Sequence, residues 1–165
     1  MGWREFFVVA LLLPASGAAA GDFESALLAA HNRERAALGV PALAWSDKLA
    51  ADAAVWAAHL AELGRAVHST PGERIGEGEN LWQGTAGAYG PEEIAGGWIA
   101  EKKDFVYGKF PAVTRVGGWQ VVGHYTQVVW RRSTELGCAK ASGGGWEFVV
   151  CRYSPAGNMV GETPY

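Results

Sequence analysis

The sequence is short of positive charge and of long apolar runs. Lysine and arginine number 14 against 17 aspartates and glutamates, which gives a formal net charge of −3. A nucleic-acid-binding surface needs clustered lysine and arginine, and this balance argues against one. The longest unbroken apolar run, residues 6–13, is far below the roughly 20 residues that a membrane-spanning helix needs. No internal repeat or low-complexity segment interrupts the chain.

The composition that remains is that of a globular protein. The chain has 165 residues, of which 49% are hydrophobic, and its mean hydropathy is close to zero. A chain of this length is long enough to bury one substantial core. We therefore expect a single domain, and we expect it to be a monomer.

Residues 1–20 resemble a secretory signal peptide. Arg4 precedes the apolar run, and Ala18-Ala19-Ala20 offers a small-residue cleavage site. The alternative, an apolar N-terminal helix of the fold, fits the small-residue end of the segment less well. The interpretation predicts a domain over residues 21–165 and a secreted protein, which is extracellular, or periplasmic if the source is a Gram-negative bacterium.

The chain has only two cysteines, Cys138 and Cys151. In an exported protein such a pair favours a disulfide over a metal or redox site. Both cysteines lie six residues from the glycine pair Gly144-Gly145, one before it and one after it. If these glycines form a two-residue hairpin turn, the cysteines face each other in a non-hydrogen-bonded pair, where side chains approach most closely.

Apolar residues at helical spacing predict two helices in the first third of the domain. The first is expected to start with Asp22 as its N-cap and to run to about Leu38. The second is expected to follow an N-cap at Ser46 and to end at Gly64.

A third helix is predicted to start at Pro91. Its apolar stripe contains one carboxylate and consists of Ile94, Trp98, Glu101 and Phe105. The helix is therefore expected to continue through Glu101. The pair Gly96-Gly97 weakens a helix, and we expect another backbone to approach it closely.

The remaining elements predict a small sheet. A short strand is expected around residues 80–83, and a hairpin over residues 136–141 and 147–153. The second hairpin strand is apolar on both faces, so both faces must be covered. With the helices available, the predicted fold is a three-layer α/β/α sandwich, with a small, mainly antiparallel sheet between helices.

Some polar side chains are not explained by packing. His31 and His59 lie on predicted helices and are interpreted as packing or solvated residues. Two other histidines and two carboxylates lie in irregular or apolar surroundings: His68, Glu79, Glu101 and His124. Such a set can hold a divalent ion, can support general acid–base chemistry, or can form separate buried hydrogen bonds. The spacing leaves these three alternatives open.

Several ordered motifs resemble the CAP superfamily of cysteine-rich secretory, antigen-five and pathogenesis-related proteins. The segments HYTQVVW (124–130) and LGCA (136–139) resemble its first signature, and VVCRYSPAGNM (149–159) resembles its second. Earlier landmarks are HN with Arg35 (31–35), LAWSDKL (43–49) and GENL (78–81). Together they cover nearly all of residues 21–165.

The resemblance implies an α/β/α sandwich with a cavity formed by His68, Glu79, Glu101 and His124. It also implies that Zn²⁺ or another divalent cation binds there, with His68 and His124 as direct ligands and the two acids acting through water. No organic cofactor is implied. Many relatives have three disulfides, whereas this chain has cysteines for one.

Because the resemblance includes family members that bind sterols or fatty acids, the leading interpretation is a non-catalytic binding or defence protein that interacts with a sterol, a fatty acid or another extracellular ligand. The candidate lipid surface is the loop over residues 106–119, with Tyr107, Phe110 and Trp119; ordinary loop packing is the alternative.

A second interpretation is a metal- or histidine-assisted hydrolase, although the sequence has no Gly-x-Ser-x-Gly nucleophile turn. A third interpretation rests on the resemblance of residues 155–165 to the C-terminal peptide released from some plant members of the family. It makes the chain a precursor of a signalling peptide; a packed or frayed chain end is the alternative.

Overall fold

The computed structural model describes residues 21–165. The predicted signal peptide, residues 1–20, lies outside this range. Four α-helices are described: α1 (Asp22–Ala37), α2 (Asp47–Leu63), α3 (Pro91–Ala100) and α4 (Gly123–Val128). The strands are β1 (Ala44–Trp45), β2 (Gly78–Thr85), β3 (Glu135–Gly143) and β4 (Trp146–Ser154). Short 3₁₀ turns occupy Pro71–Glu73, Glu101–Asp104 and Trp119–Val121.

The four strands form one sheet in the order β1-β3-β4-β2. β1 pairs with β3 in parallel, and the other two pairings are antiparallel. Helix α2 covers one face, and helices α1, α3 and α4 lie on the other. The predicted α/β/α sandwich with a mainly antiparallel sheet is confirmed.

Strand β4 shows why the sheet needs two helical layers. Val149, Cys151 and Tyr153 pack into the cluster beneath α1 and α3, whereas Phe148 and Val150 pack against the alanines of α2. Alternate side chains of a strand point to opposite faces. An apolar residue on both faces therefore places β4 in the middle of the sandwich.

Helix α2 lies unusually close to β3. A Cβ atom added at Gly137 would stand 2.2 Å from the backbone nitrogen of Ala50, and one at Gly143 would stand 2.3 Å from the carbonyl oxygen of Ala61. The two glycines therefore allow helix and strand backbones to touch. The expectation of a close approach at Gly96-Gly97 is wrong, because added Cβ atoms there would meet nothing within 4 Å.

The hairpin and its disulfide follow the sequence prediction. Gly144 and Gly145 have positive φ angles of 60° and 85°, as a tight hairpin turn of this kind requires. Cys138 lies directly opposite Cys151 in the register, and their sulfur atoms are bonded. Their Cα atoms are 4.1 Å apart, which fits the closely spaced type of antiparallel pair.

Two predicted element ends need correction, and one is confirmed. Gly21, not Asp22, is the N-cap of α1, and Asp22 is the first helical residue. Ser46 is the N-cap of α2, as predicted, although its side chain makes no capping hydrogen bond. Helix α3 ends at Ala100, and Glu101 opens a 3₁₀ turn. The helix does not continue to Phe105 because the backbone there is already extended, with φ −76° and ψ 139°.

None of the helices within residues 21–165 combines the length and apolar character needed to cross a membrane.

Candidate functional site

A cavity of about 660 Å³ opens beside the ends of β2 and α4. One part of its wall is polar, and the residues there include His68, Glu79, Asn80 and His124. Another part is apolar and is formed by Phe110, Pro111, Trp119 and Val160. The cavity therefore presents hydrogen-bonding groups and a hydrocarbon surface to the same volume.

The first histidine of the cavity is fixed by a buried carboxylate. Nδ1 of His68 lies 2.6 Å from Oε1 of Glu79. Ser69 donates its backbone N–H to Oε1 and its hydroxyl to Oε2 of the same carboxylate, at 3.1 and 2.9 Å. Nη2 of Arg152, itself buried, is 3.1 Å from Oε2. Glu79 thus makes four polar contacts with three residues and has little freedom to move.

The environment of Glu79 keeps it ionised. Burial opposes the charged form, but the hydrogen bonds from His68 and Ser69 and the positive charge of Arg152 outweigh burial and lower the pKa of Glu79. A carboxylate in this state is a strong acceptor for the Nδ1–H of His68. The pair therefore favours the His68 tautomer that carries its hydrogen on Nδ1.

The second histidine is held in the same way by a different element. Nδ1 of His124 lies 2.6 Å from Oε1 of Glu101. Oε2 of Glu101 accepts the backbone N–H groups of His124 and Tyr125, both at 3.0 Å. The 3₁₀ turn that ends α3 thus presents Glu101 to the first turn of α4, where free N–H groups need an acceptor.

Within residues 21–165, neither histidine makes a hydrogen bond through Nε2, and both line the same cavity. The His68 side chain is 55% exposed and the His124 side chain 32%, so both rings are accessible. In the described part of the chain, no three side chains among histidine, cysteine, aspartate and glutamate converge closely enough to form a metal cage. The arrangement is two histidine–carboxylate pairs, with the carboxylates behind the rings.

The other two histidines have structural roles, as interpreted from the sequence. His31 is fully buried, and its Nδ1 lies 2.7 Å from the carbonyl oxygen of Leu27. Burial lowers the pKa of His31 to about 4. His59 is exposed and packs against the ring of Trp56.

The residues after His124 connect the two signature motifs. Oε1 of Gln127 accepts the backbone N–H of Gly157 at 2.9 Å, and the hydroxyl of Thr126 donates to Oδ1 of Asn158 at 2.6 Å. Val128, Val129 and Trp130 are fully buried. The first motif therefore buries apolar residues that fix the helix carrying His124, and its polar side chains form hydrogen bonds with the second motif.

The three lipid candidates do not share one surface. Phe110 is buried, 5% exposed, and its ring packs against Trp119 and Trp130. Phe110 and Trp119 line the cavity, whereas Tyr107 does not, and its hydroxyl donates to a backbone oxygen of Tyr165. The structure thus brings two of the candidates together with His68 and His124 and leaves the third outside.

The last residues are packed on the domain. The backbone N–H of Ala156 donates to the carbonyl oxygen of Gly76 at 2.9 Å, and Arg132 pairs with Glu162 at 2.7 Å. The N–H of Arg131 donates to the carbonyl oxygen of Pro164. A protease would therefore have to displace these contacts to release residues 155–165.

Sequence reasoning missed two side chains of the site. Arg152 lies on a strand with an apolar residue on either side, and a lone arginine is usually solvent-exposed. Asn80 stands next to Glu79 within the GENL segment. In the sequence, the only feature that points to Asn80 is its position next to a candidate ligand.

Comparisons with known proteins agree with this architecture. Residues 28–153 match the family model for CAP, the cysteine-rich secretory protein family. Pathogenesis-related protein 1 of Arabidopsis thaliana is 37% identical over 171 residues, covering 99% of this chain and 98% of that protein. Pathogenesis-related protein 1A of Nicotiana tabacum is 42% identical over 139 residues, covering 84% of this chain and 78% of that protein.

Solved structures show the same fold. The crystal structure of NaASP2 with Zn²⁺ has a TM-score of 0.74 and 25% identity, covering 88% of this chain and 86% of that one. The structure of BmVAL-1 has a TM-score of 0.75 and 24% identity, covering 92% and 85%. With a family model that spans most of the domain and relatives that align along nearly all of it, the chain belongs to the CAP family of cysteine-rich secretory proteins.

Proposed function

We propose that this CAP protein is a secreted, non-catalytic defence protein whose cavity binds a divalent cation and an amphipathic lipid. The observation that carries the proposal is the pair of histidines that line one cavity, each with Nδ1 against a carboxylate. Similarity to pathogenesis-related proteins supports the defence role. The resemblance of residues 1–20 to a secretory signal peptide supports the extracellular or periplasmic location.

The chemistry of the histidines fits a transition-metal ion such as Zn²⁺. Histidines that bind metals usually donate their other ring N–H to a carboxylate or carbonyl, which fixes the ring and makes the ligating nitrogen more basic. Glu79 and Glu101 stand in that position. The ion would be held by Nε2 of His68 and Nε2 of His124, and it would place a positive charge in the cavity. A solved relative, NaASP2, was crystallised with Zn²⁺.

Two protein ligands leave coordination positions for water or for a ligand atom. The role predicted for the acids, contact with the ion through water, remains a proposal. The contacts of Glu79 and Glu101 with the imidazole rings supply a second role that does not need water.

The apolar wall favours a ligand with a hydrocarbon part. Trp119 is 38% exposed and Val160 is 80% exposed beside the cavity. A sterol or a fatty acid would place its polar end near the histidines and its apolar end along this wall. Because Phe110 is buried, it forms the base of the wall and contributes mainly packing.

The geometry around Ser69 favours a binding protein over a hydrolase. A serine nucleophile needs its hydroxyl hydrogen-bonded to a general base and free to attack. The hydroxyl of Ser69 is buried and donates to Glu79, which is already bonded to His68 and Arg152. Ser69 therefore supports the carboxylate rather than a reaction.

Zinc binding by calorimetry tests the metal part of the proposal. We expect saturable binding to the mature protein and its loss in the double variant His68→Ala/His124→Ala. His59→Ala, which changes an exposed histidine on α2, is the matched control and should bind as the unchanged protein does. Equal binding by the double variant and the unchanged protein would refute the site.

Retention of a labelled sterol and a labelled fatty acid tests the lipid part. We expect Trp119→Ser/Val160→Ser to lose retention, because the change removes the exposed part of the apolar wall. Val55→Ser alters a residue that is 73% exposed on α2 and should have no effect. Retention that is unchanged in the double variant would show that the wall is not the lipid site.

A further inference from the structure

A chain of buried hydrogen bonds runs from α1 to the cavity, and its directions follow from chemistry. Nδ1 of His31 contacts the carbonyl oxygen of Leu27, which can only accept, so Nδ1 carries the hydrogen. Nε2 of the neutral ring then has a lone pair. It lies 2.8 Å from the hydroxyl of Tyr153, so Tyr153 donates to His31.

The next link fixes the amide of Asn80. The hydroxyl oxygen of Tyr153 has used its hydrogen and accepts from Nδ2 of Asn80 at 3.1 Å. Nδ2 also donates to the carbonyl oxygen of His124 at 3.1 Å. Both contacts need an N–H donor, so the amide cannot be flipped, and Oδ1 must occupy the opposite side.

Oδ1 of Asn80 is then an acceptor that no donor within residues 21–165 satisfies. Asn80 is 1% exposed and lines the cavity. Within residues 21–165, its amide makes hydrogen bonds only through Nδ2. Oδ1 is not fully enclosed, so the small exposed area of this residue includes this oxygen. An acceptor at the wall of an open cavity is available to water or to a ligand.

We propose that Oδ1 of Asn80 is a third, pre-oriented acceptor of the cavity, which binds a water carried by the divalent cation on His68 and His124. The proposal rests on the proposed metal site and adds a positioning residue to it. Zinc sites in proteins usually take nitrogen, sulfur or carboxylate ligands, so the neutral amide oxygen is assigned to a metal-bound water. Tyr153 and His31 act through Asn80 by preventing its amide from rotating.

Calorimetric zinc titration of variants measures this contribution. Changes to residues that orient metal-bound groups typically cost about 10–100-fold in metal affinity, and we expect a loss in that range for Asn80→Ala. Tyr153→Phe leaves Oδ1 in place but removes the acceptor that orients the amide, so a smaller loss is expected. Tyr107→Phe removes a hydroxyl that is not part of this chain of hydrogen bonds and should leave the affinity unchanged. Unchanged affinity in folded Asn80→Ala would overturn the proposal.

The unmodified protein supplies a test that does not depend on variants folding. During zinc titration followed by NMR, the side-chain carboxamide carbon of Asn80 should shift together with the ring nitrogens of His68 and His124. Asn32 is the internal control, because the backbone of Leu43 satisfies both ends of its amide. If the histidines shift and Asn80 does not, the role of Asn80 is wrong and the metal site stands. If neither histidine shifts, the metal site itself is wrong.

Discussion

Replacing His31 by glutamine should flatten the acid side of the stability profile. The ring of His31 is fully buried, and its pKa falls from 6.5 to about 4. Burial is the main cause, because it disfavours the charged form of the ring. The charge of Arg35 lowers the pKa further, whereas the hydrogen bond to Leu27 opposes the shift. Between those two pH values the unfolded chain binds a proton on His31 that the folded protein does not bind. The free energy of unfolding must therefore rise with pH in this window.

The size of the effect follows from the pKa difference. One pKa unit corresponds to about 1.36 kcal/mol, so a shift from 6.5 to about 4 makes the folded state about 3 kcal/mol less stable at pH 4 than at pH 7. The stability linked to His31 is fully present above pH 6.5 and is lost progressively as the pH falls to about 4. Glu79, whose pKa is lowered, adds a loss below its own normal range near 4.5.

Urea unfolding at several pH values between 4 and 7 measures the effect, provided the transition is two-state. His31→Gln should lower stability at pH 7, because the hydrogen bonds to Leu27 and Tyr153 change, but its profile should be flatter than that of the unchanged protein. His59→Gln is the control at an exposed position and should keep the original slope. Parallel profiles for the unchanged protein and His31→Gln would refute the argument.

Three further changes have defined outcomes. Cys138→Ser/Cys151→Ser removes a disulfide between positions 13 residues apart. The free energy of unfolding, measured in urea, should fall by about 3 kcal/mol, because the unfolded chain is no longer cross-linked. An unchanged free energy of unfolding would contradict this. Arg152→Gln breaks a buried ion pair with Glu79, so the free energy of unfolding should fall by about 3–5 kcal/mol. The pKa of Glu79 should also rise, because a neighbouring positive charge is lost. An unchanged carboxyl titration of Glu79 by NMR would contradict this role. Phe110→Ala should cost about 3–5 kcal/mol, because the ring is buried, and a loss below about 1 kcal/mol would show that it behaves as a surface residue.

The features that sequence reasoning predicted well depend on local pattern. The turn at Gly144-Gly145 sets the register of its two strands, and the register places Cys138 opposite Cys151. The apolar character of β4 on both faces requires two covering layers, and the helices supply them. These inferences need only the periodicity of a strand and the geometry of a turn.

The pairing within the cavity depends on contacts between distant segments. Resemblance to the family indicated the four side chains, but spacing alone did not show that His68 faces Glu79 while His124 faces Glu101. Glu101 stands out in the sequence because it interrupts an apolar stripe. Its actual position, in a 3₁₀ turn against the start of α4, depends on the packing of α3 on α4.

The loop over residues 106–119 shows the limit of reasoning from composition. Phe110 and Tyr107 are both aromatic residues in an irregular segment, yet Phe110 is 5% exposed and Tyr107 is 57% exposed. The difference arises because Trp130 and Val122 cover Phe110. No local pattern in the loop encodes which of its aromatic residues the rest of the fold will cover.

The most direct test of the metal site is to observe which ring nitrogens respond to zinc. In the mature protein labelled with ¹⁵N at histidine, Nε2 of His68 and Nε2 of His124 should shift on addition of Zn²⁺, while both Nδ1 atoms keep their hydrogens bonded to Glu79 and Glu101. His31 should not respond, because Leu27 and Tyr153 already occupy both of its nitrogens. Shifts confined to His59, or no histidine response at saturating zinc, would contradict a metal site in the cavity.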